Sequence, residues 1–507
     1  MTGSAGRWEW RTFGPGARVA EHGWRHLAPV GTQESDEVYL LSGAGETVKV
    51  RAELMDIKQL LATDAFGLQQ WTPVLKASFP LDRANVERVF DALHVPLPEL
   101  DRDAYTLDEF LGELTGPSRG IRAVSVHKRR VRYAPNGCSA EITNVRADGV
   151  SAETFAVEAE DADAVVGVVR SLRLANYVNT AYPVGLARMI DGVPERYAVI
   201  DCGTNSIKFH IAERTAAGGW RMLVDRAELT RLGEGLIEGG PISRAALERT
   251  VTAIAGMANE ARAHDVIALA AVGTAGLRMA SNANDVRAEV AQRTGVEVEV
   301  IPGDEESRIA FLAVRAGLPI PFGTAAVLDT GGGSTQLTFG HGGSVDEQWS
   351  VNVGAVRYTE AFGLDDAVSP EVLGNARAAI SADLARLDDR PPVDALVGMG
   401  GAVTNLTAVS LRLDPYDPDR VQGAVLERAE IDRQIEQYRS TGTEERRAIV
   451  GLQPKRAEVI LAGACIVRTV MDKLGAERLI VSDRGLRHGV LEERFSAHET
   501  SEARAAS

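Results

Sequence analysis

The residues best equipped for chemistry lie in one stretch, Val327-Leu328-Asp329-Thr330-Gly331-Gly332-Gly333-Ser334-Thr335-Gln336. Its lead-in, Ala325 to Leu328, reads as a buried strand that delivers an acidic residue to three glycines and two hydroxyls. Glycines permit positive φ and let backbone N–H groups come close to an anion. An aspartate at a strand end is placed to hold a divalent cation, directly or through water. These are the parts needed to grip a phosphate chain with Mg2+, although paired glycines between strands also make a plain hairpin turn. The run from Tyr197 to Phe209 repeats the scheme: an apolar strand, Asp201, a turn of Gly203, Thr204, Asn205 and Ser206, then a second β-prone segment. A third loop, Gly398 to Thr404 with Gly400 and Gly401 at its centre, follows the apolar Ala395-Leu396-Val397.

Two strand–Asp–turn units imply a duplicated domain with phosphate held between its halves, the layout of the actin, Hsp70 and sugar-kinase superfamily. Six ordered motifs sharpen this reading: Asp201 to Ser206, Gly273 to Arg278, Pro302 to Arg308, Asp329 to Thr335, Gly398 to Asn405, and Ser482 to Arg487. Together they resemble the motifs of the exopolyphosphatase/guanosine pentaphosphate phosphatase (Ppx/GppA) family, from about Arg196 to Phe495. The resemblance implies an α/β fold with a duplicated actin-like (ribonuclease H-like) core. It also implies hydrolysis of terminal phosphoanhydride bonds in polyphosphate or guanosine pentaphosphate with Mg2+ as cofactor, polyphosphate or guanosine penta/tetraphosphate as binding partner, and an open oligomeric state that a homodimer would fit.

Such hydrolysis requires charge neutralisation, a positioned water and a group to orient it. Asp201 and Asp329 are the candidates for Mg2+. Glu306 aligns with the family's catalytic glutamate, and Glu305 is the neighbour that competes with it. Either could equally be a carboxylate at a helix N-terminus. Gly203, Thr204, Asn205 and Ser206, with Gly331, Gly332, Gly333, Ser334, Thr335, Gly400 and Gly401, are expected to contact phosphate, and Arg278 to neutralise it. Members of the family usually follow the Gly-Gly-Gly-Ser-Thr run with Glu; here the residue is Gln336. An amide ligates Mg2+ weakly and takes no proton at neutral pH. Slow turnover, or a polyphosphate-binding sensor or scaffold, is therefore the alternative to a fast phosphatase. A sugar or acetate kinase is a third class. No Walker A, His-Glu-x-x-His or Gly-x-Ser-x-Gly element points to a P-loop NTPase, a zincin or a serine hydrolase.

The 507 residues carry a net charge of −16, which argues against nucleic-acid binding and requires any basic site to be local. Cys138, Cys202 and Cys465 are too scattered for a disulfide framework or a zinc site. No apolar run reaches membrane-spanning length, and a cytoplasmic location is expected.

Residues 1–192 lie outside the resemblance and read as a separate domain. Strands are expected at Trp8–Phe13, Glu37–Leu41, Thr47–Arg51, Val124–Tyr133, Ala140–Val145 and Thr154–Glu158, with helices at Asp82–Leu93 and Ala162–Leu174. Charges two apart, in Arg7/Glu9/Arg11, Lys49/Arg51 and Lys128/Arg130/Arg132, would share one strand face. A closed sheet would then line its interior with them. Glu9-Trp10-Arg11 resembles a degenerate form of the Glu-x-Glu-x-Lys signature of CYTH (triphosphate-tunnel) domains. The resemblance implies a CYTH-like polyanion-binding barrel whose incomplete signature argues against its own catalysis; the alternative is that these charges lie on solvated outer faces of the strands. The remaining boundaries are 196–320 and 321–495 for the two actin-like subdomains, and 496–507 for a disordered tail.

Overall fold

Alternation of polar and apolar residues in the N-terminal third builds strands that close on themselves. The computed structural model describes residues 6–43, 46–318, 323–341 and 344–496. Its barrel begins with β1 (Arg7–Phe13), β2 (Gly31–Leu41), β3 (Thr47–Arg51), β4 (Leu54–Thr63) and β5 (Gln69–Ser78). A short ribbon, β6 (Leu81–Asp82) and β7 (Ala104–Tyr105), intervenes before β8 (Arg122–Tyr133), β9 (Ser139–Ala147) and β10 (Val150–Ala159). The antiparallel order is β1-β10-β9-β8-β2-β3-β4-β5, and β5 pairs back onto β1.

Period-two geometry sorts the side chains. Trp10 of β1 and Phe155 of β10 point outward and pack with Trp24 of the helix Pro15–Trp24. Leu40, Val48 and Val50 pack outward with Phe90 and Phe110 of two further helices. The alternate positions fill the interior with charge, as their spacing predicts. Glu37 meets Lys49 at 3.1 Å, Lys128 at 3.3 Å and Arg130 at 2.6 Å, while Arg11 meets Glu9 at 2.9 Å and Glu141 at 3.6 Å. Burial opposes ionisation of Glu37, but Lys128, Lys49 and Arg130 outweigh it and hold its carboxyl below the usual range. One end of the bore is closed by the helix Tyr182–Ile190, whose Tyr182 stacks on Tyr39 at 4.7 Å and lies 3.5 Å from Lys128 Nζ. The barrel fits a CYTH-like domain.

Sequence reading misses β4, β5 and the helices Pro15–Trp24, Leu107–Leu114 and Tyr182–Ile190. The outer half of β4 is exposed on both faces, so no apolar alternation marks it. The segment after Thr274 forms two helices, Ala275–Met279 and Ala283–Thr294. Between them Asn282 uses its side-chain amide to pair with the backbone N–H and C=O of Ile242.

The remaining chain forms two sheets of the same design. The first contains β11 (Arg196–Cys202), β12 (Ser206–Arg214), β13 (Trp220–Leu229), β14 (Ala268–Gly273) and β15 (Val298–Val300), in the order β13-β12-β11-β14-β15. The second contains β16 (Thr324–Thr330), β17 (Thr335–His341), β18 (Ser344–Val351), β19 (Ala395–Met399), β20 (Val425–Glu427) and β21 (Arg478–Val481). Its order is β18-β17-β16-β19-β21-β20. In each, the first strand pairs antiparallel with the second and parallel with the fourth. This is the duplicated actin-like core, with β11 and β16 as equivalents. The 320/321 boundary and the tail beyond Ser496 fall outside the described residues.

The barrel does not stand apart. Trp10, Trp24, Phe155 and Tyr177 share one hydrophobic cluster with Tyr197, Ala268 and Phe495 of the core. The connecting segment bonds to both sides: Asn179 accepts from Arg11 N at 2.7 Å, and Asn176 O accepts from Leu269 N at 2.7 Å. The barrel covers the starts of β11 and β14, whereas Asp201 lies near the other end of β11, about 13 Å further at ~3.3 Å per residue. Uncovering each large apolar side chain costs about 1.5–3 kcal/mol. A protein truncated to residues 193–507 is therefore expected to unfold at least ~10 °C below the full chain in a thermal melt. Equal melting temperatures would show that the shared cluster contributes nothing.

Candidate active site

The two hairpins that carry the aspartates are superposable in register. Asp201 is the next-to-last residue of β11 and faces Lys208 across β12; Asp329 is the next-to-last of β16 and faces Gln336 across β17. In both turns the leading glycine closes the loop on itself. Gly203 N–H donates to Ser206 O at 3.1 Å, and Gly331 N–H to Ser334 O at 2.9 Å. The amides of Thr204, Asn205, Gly332 and Gly333 have no acceptor among the described residues, so they, and not those of Gly203 and Gly331, are available to an anion. The stretch that could have been a hairpin turn is one, and its free amides are what it offers to an anion.

Close packing fixes each loop. A Cβ on Gly233 would lie 2.2 Å from Thr204, and one on Gly354 would lie 2.3 Å from Gly332 O. The carbonyls of Gly331 and Gly332 accept from the first N–H groups of the helix Ala355–Phe362. Gly400 has φ of 86°, and a Cβ there would meet Asp329 Oδ1 at 2.5 Å. Only glycine lets this third loop, and the helix Gly401–Leu411 that follows, come so near the aspartate. Thr335 departs from expectation. It is fully buried, and its hydroxyl donates to Val353 O at 2.6 Å, so the alternation of β17 turns it into the core and away from phosphate.

The carboxylates converge. Lys208 Nζ lies 3.3 Å from Asp201 Oδ2, whereas Asp329 has no hydrogen bond or ion pair to any described residue. Burial pushes the Asp329 carboxyl up, Asp201 adds to that, and Lys208 opposes it. Glu306 and Glu305 both lie in the first turn of the helix Gly303–Gly317, yet they part company. Glu306 pairs with Arg278 at 2.8 Å; its carboxyl is raised by burial, with Asp201 and Asp329 contributing and Arg278 opposing. Glu305 is gripped by Arg308 at 2.7 and 2.8 Å, and Arg308 also pairs with Glu493. The cleft-facing glutamate is thus Glu306. Gln336 donates to Ser334 Oγ at 3.1 Å.

Two cations escaped the sequence reading. Lys208 is seven residues after Asp201, the spacing of Gln336 from Asp329, and period-two pairing across the hairpin could have found it. Arg456 could not be found this way. It ends a short turn, Pro454–Arg456, and its guanidinium covers Gly401, where a Cβ would lie 2.3 Å from Nη2. Arg456 is partly buried, its side chain has no hydrogen bond or ion pair to a described residue, and burial alone lowers its pKa. Arg487, in the last motif, instead forks both oxygens of Asp225 at 2.6 and 2.7 Å and ties the C-terminal helix to β13.

The charge of Asp201 is felt by both Asp329 and Glu306, and Asp329 lacks a described partner; the three carboxylates do not close into one tight group of ligand atoms, as His210, Asp225 and His488 do. Among the described residues no helix is long and apolar enough to cross a membrane.

Residues 211–498 match the model of the Ppx/GppA phosphatase family. Exopolyphosphatase 2 of Mycobacterium tuberculosis is 28% identical over 58% of this chain and 97% of its own length. The bifunctional 3-dehydroquinate synthase/phosphatase of Fusobacterium nucleatum is 26% identical over 59% of this chain but only 46% of its own length. The crystal structure of the Aquifex aeolicus member of the Ppx/GppA family covers 60% of this chain and all of its own, with 34% identity and a TM-score of 0.55. The chain belongs to the Ppx/GppA phosphatase family.

Proposed function

We propose that the cleft hydrolyses the terminal phosphoanhydride bond of inorganic polyphosphate or guanosine pentaphosphate, with Mg2+ held by Asp201 and Asp329. The observation that carries this reading is the pair of equivalent aspartates, one unpaired, set among three anion-facing loops. The amides of Thr204, Asn205, Gly332 and Gly333 and the start of the helix Gly401–Leu411 would bind phosphate oxygens. Lys208, Arg278 and Arg456 would neutralise them. Bound Mg2+ would withdraw charge from the phosphoryl oxygens and the leaving phosphate. A water attacks the terminal phosphorus, the bridging P–O bond breaks, and Glu306 takes the water's proton. Purified protein with Mg2+ and polyphosphate, guanosine pentaphosphate or ATP should release inorganic phosphate from one of the first two. Formation of ADP with a phosphorylated acceptor would instead identify a kinase.

A binding role for the barrel has its own support. The Thr143 and Tyr182 hydroxyls are buried without hydrogen-bond partners among the described residues, and Tyr182 lies beside the interior cations Arg11 and Arg130. Such groups suit an anionic guest, and polyphosphate binding without turnover in the bore follows from them.

Gln336 sits where the other hairpin has Lys208, beside the unpaired Asp329. Gln336→Glu adds a carboxylate at nearly unchanged volume. It is expected to raise phosphate release by ~10- to 100-fold, roughly 1.4–2.7 kcal/mol of barrier, and to tighten Mg2+. An unchanged rate in a folded, substrate-binding variant would place the limit on turnover elsewhere.

A further inference from the structure

We propose that Asn405 and Arg446 are positioning residues for substrate phosphate: they hold the turn that carries Arg456, so that its guanidinium stands over the start of the helix Gly401–Leu411. This rests on reading the cleft as a phosphate site, and it adds the means by which the unpaired cation is kept there.

The turn Pro454–Arg456 has little to order it from within. Arg456 N donates to Gln453 O at 2.8 Å and Ala457 N to Pro454 O at 3.4 Å, while Lys455 is exposed. Its place is set from its flanks. On one side Gln453 N donates to Asn405 Oδ1 at 2.9 Å, and Asn405 Nδ2 donates to Gly401 O at 2.8 Å. One buried amide thus joins the turn to the residue that Arg456 covers. On the other side Ala457 O accepts from Arg446 Nη1 at 3.2 Å.

Arg446 is fully buried and has no carboxylate partner among the described residues. Its guanidinium also donates to the carbonyls of Tyr438, Leu364, Asp365 and Asp366, at 2.7 to 3.0 Å. Burying a charge is costly unless every donor is met, and here backbone oxygens from separate segments meet it. The segment 364–366 follows the helix Ala355–Phe362, whose first amides bind Gly331 O and Gly332 O. Arg446 therefore ties the turn of Arg456 to the helix that seats the glycine loop, and Asn405 ties it to the third loop. The distance between the unpaired cation and two anion-facing backbones is fixed by these two side chains.

A purely structural role predicts lost stability; positioning predicts coupling to Arg456. The test uses the full chain with Mg2+ and imidodiphosphate, a hydrolysis-resistant phosphate pair, with Kd from calorimetry and folding from thermal melts. Arg456→Ala is expected to weaken binding ~10-fold. Asn405→Ala should weaken it ~3- to 10-fold in the native background and less than ~2-fold once Arg456 is alanine, because contacting groups are non-additive. Arg446→Lys, which keeps the charge but reaches fewer carbonyls, should follow the same pattern; if it does not fold, the Asn405 arms decide. Equal weakening by Asn405→Ala in both backgrounds, or none in the native one, would overturn the proposal. Unchanged Kd in Arg456→Ala would overturn the assignment of Arg456 to phosphate and this inference with it, whereas loss of phosphate release with Asp201 or Asp329 altered tests the cleft separately.

Discussion

Replacing Asp201 or Asp329 with asparagine is expected to lower phosphate release by at least ~10^3-fold, about 4 kcal/mol of barrier, while the fold persists. Each carboxylate is next to last in a strand whose central residues are buried by the sheet, so the amide changes charge with little change in packing. Asp329 offers a second readout. Burial and Asp201 raise its carboxyl in the folded protein, and nothing described pairs with it. Its contribution to stability is therefore full below the unfolded carboxylate pKa and is lost as pH rises through the higher folded value. In a chelator, Asp329→Asn should melt higher than the native chain at neutral pH, and the difference should shrink as pH falls through that window. Added Mg2+ should stabilise the native chain more than either variant. Native rates in both variants would remove the metal assignment; a destabilised Asp329→Asn in chelator would mean that an unseen partner holds the carboxylate.

Glu306→Gln is expected to reduce kcat by ~10^2- to 10^4-fold with KM nearly unchanged, because a base acts on water more than on substrate affinity. Burial, with Asp201 and Asp329, raises the Glu306 carboxyl against the pull of Arg278. A base must be deprotonated, so kcat/KM should rise with pH through a limb above the ordinary glutamate range. The Gln variant should lose that limb. A change in KM alone would make Glu306 a partner for Arg278 and no base. Glu305→Gln is the control: its carboxyl is held by Arg308, and its loss should cost stability before activity.

Much of the site was legible because its signals are contiguous. Strand, aspartate and glycine turn follow one another in β11 and β16, and backbone geometry alone fixes where such an aspartate ends up. The same period of two put Arg11, Lys49, Lys128 and Arg130 on one face before any barrel was seen. Local pattern does not name partners. Glu37 and Glu141, which neutralise those cations, lie on other strands, and only closure of the sheet brings them together. Thr335 misled for a related reason: its motif is right, but its parity in β17 turns the hydroxyl inward.

What sequence by itself determined was the duplicated strand–Asp–turn unit, the two aspartates and the charged face of the barrel, all set by short-range sterics and alternation. Tertiary structure alone separates the surroundings of Glu306 and Glu305, since both occupy the same helical turn and only packing sets one near Asp201 and Asp329 and the other against Arg308. It also decided that Arg456 covers Gly401 and that the barrel shares Trp10, Tyr177 and Phe495 with the core. These are contacts between residues distant in the chain. Their partners are chosen by burying apolar surface and satisfying buried donors across the whole fold, which no local spacing records.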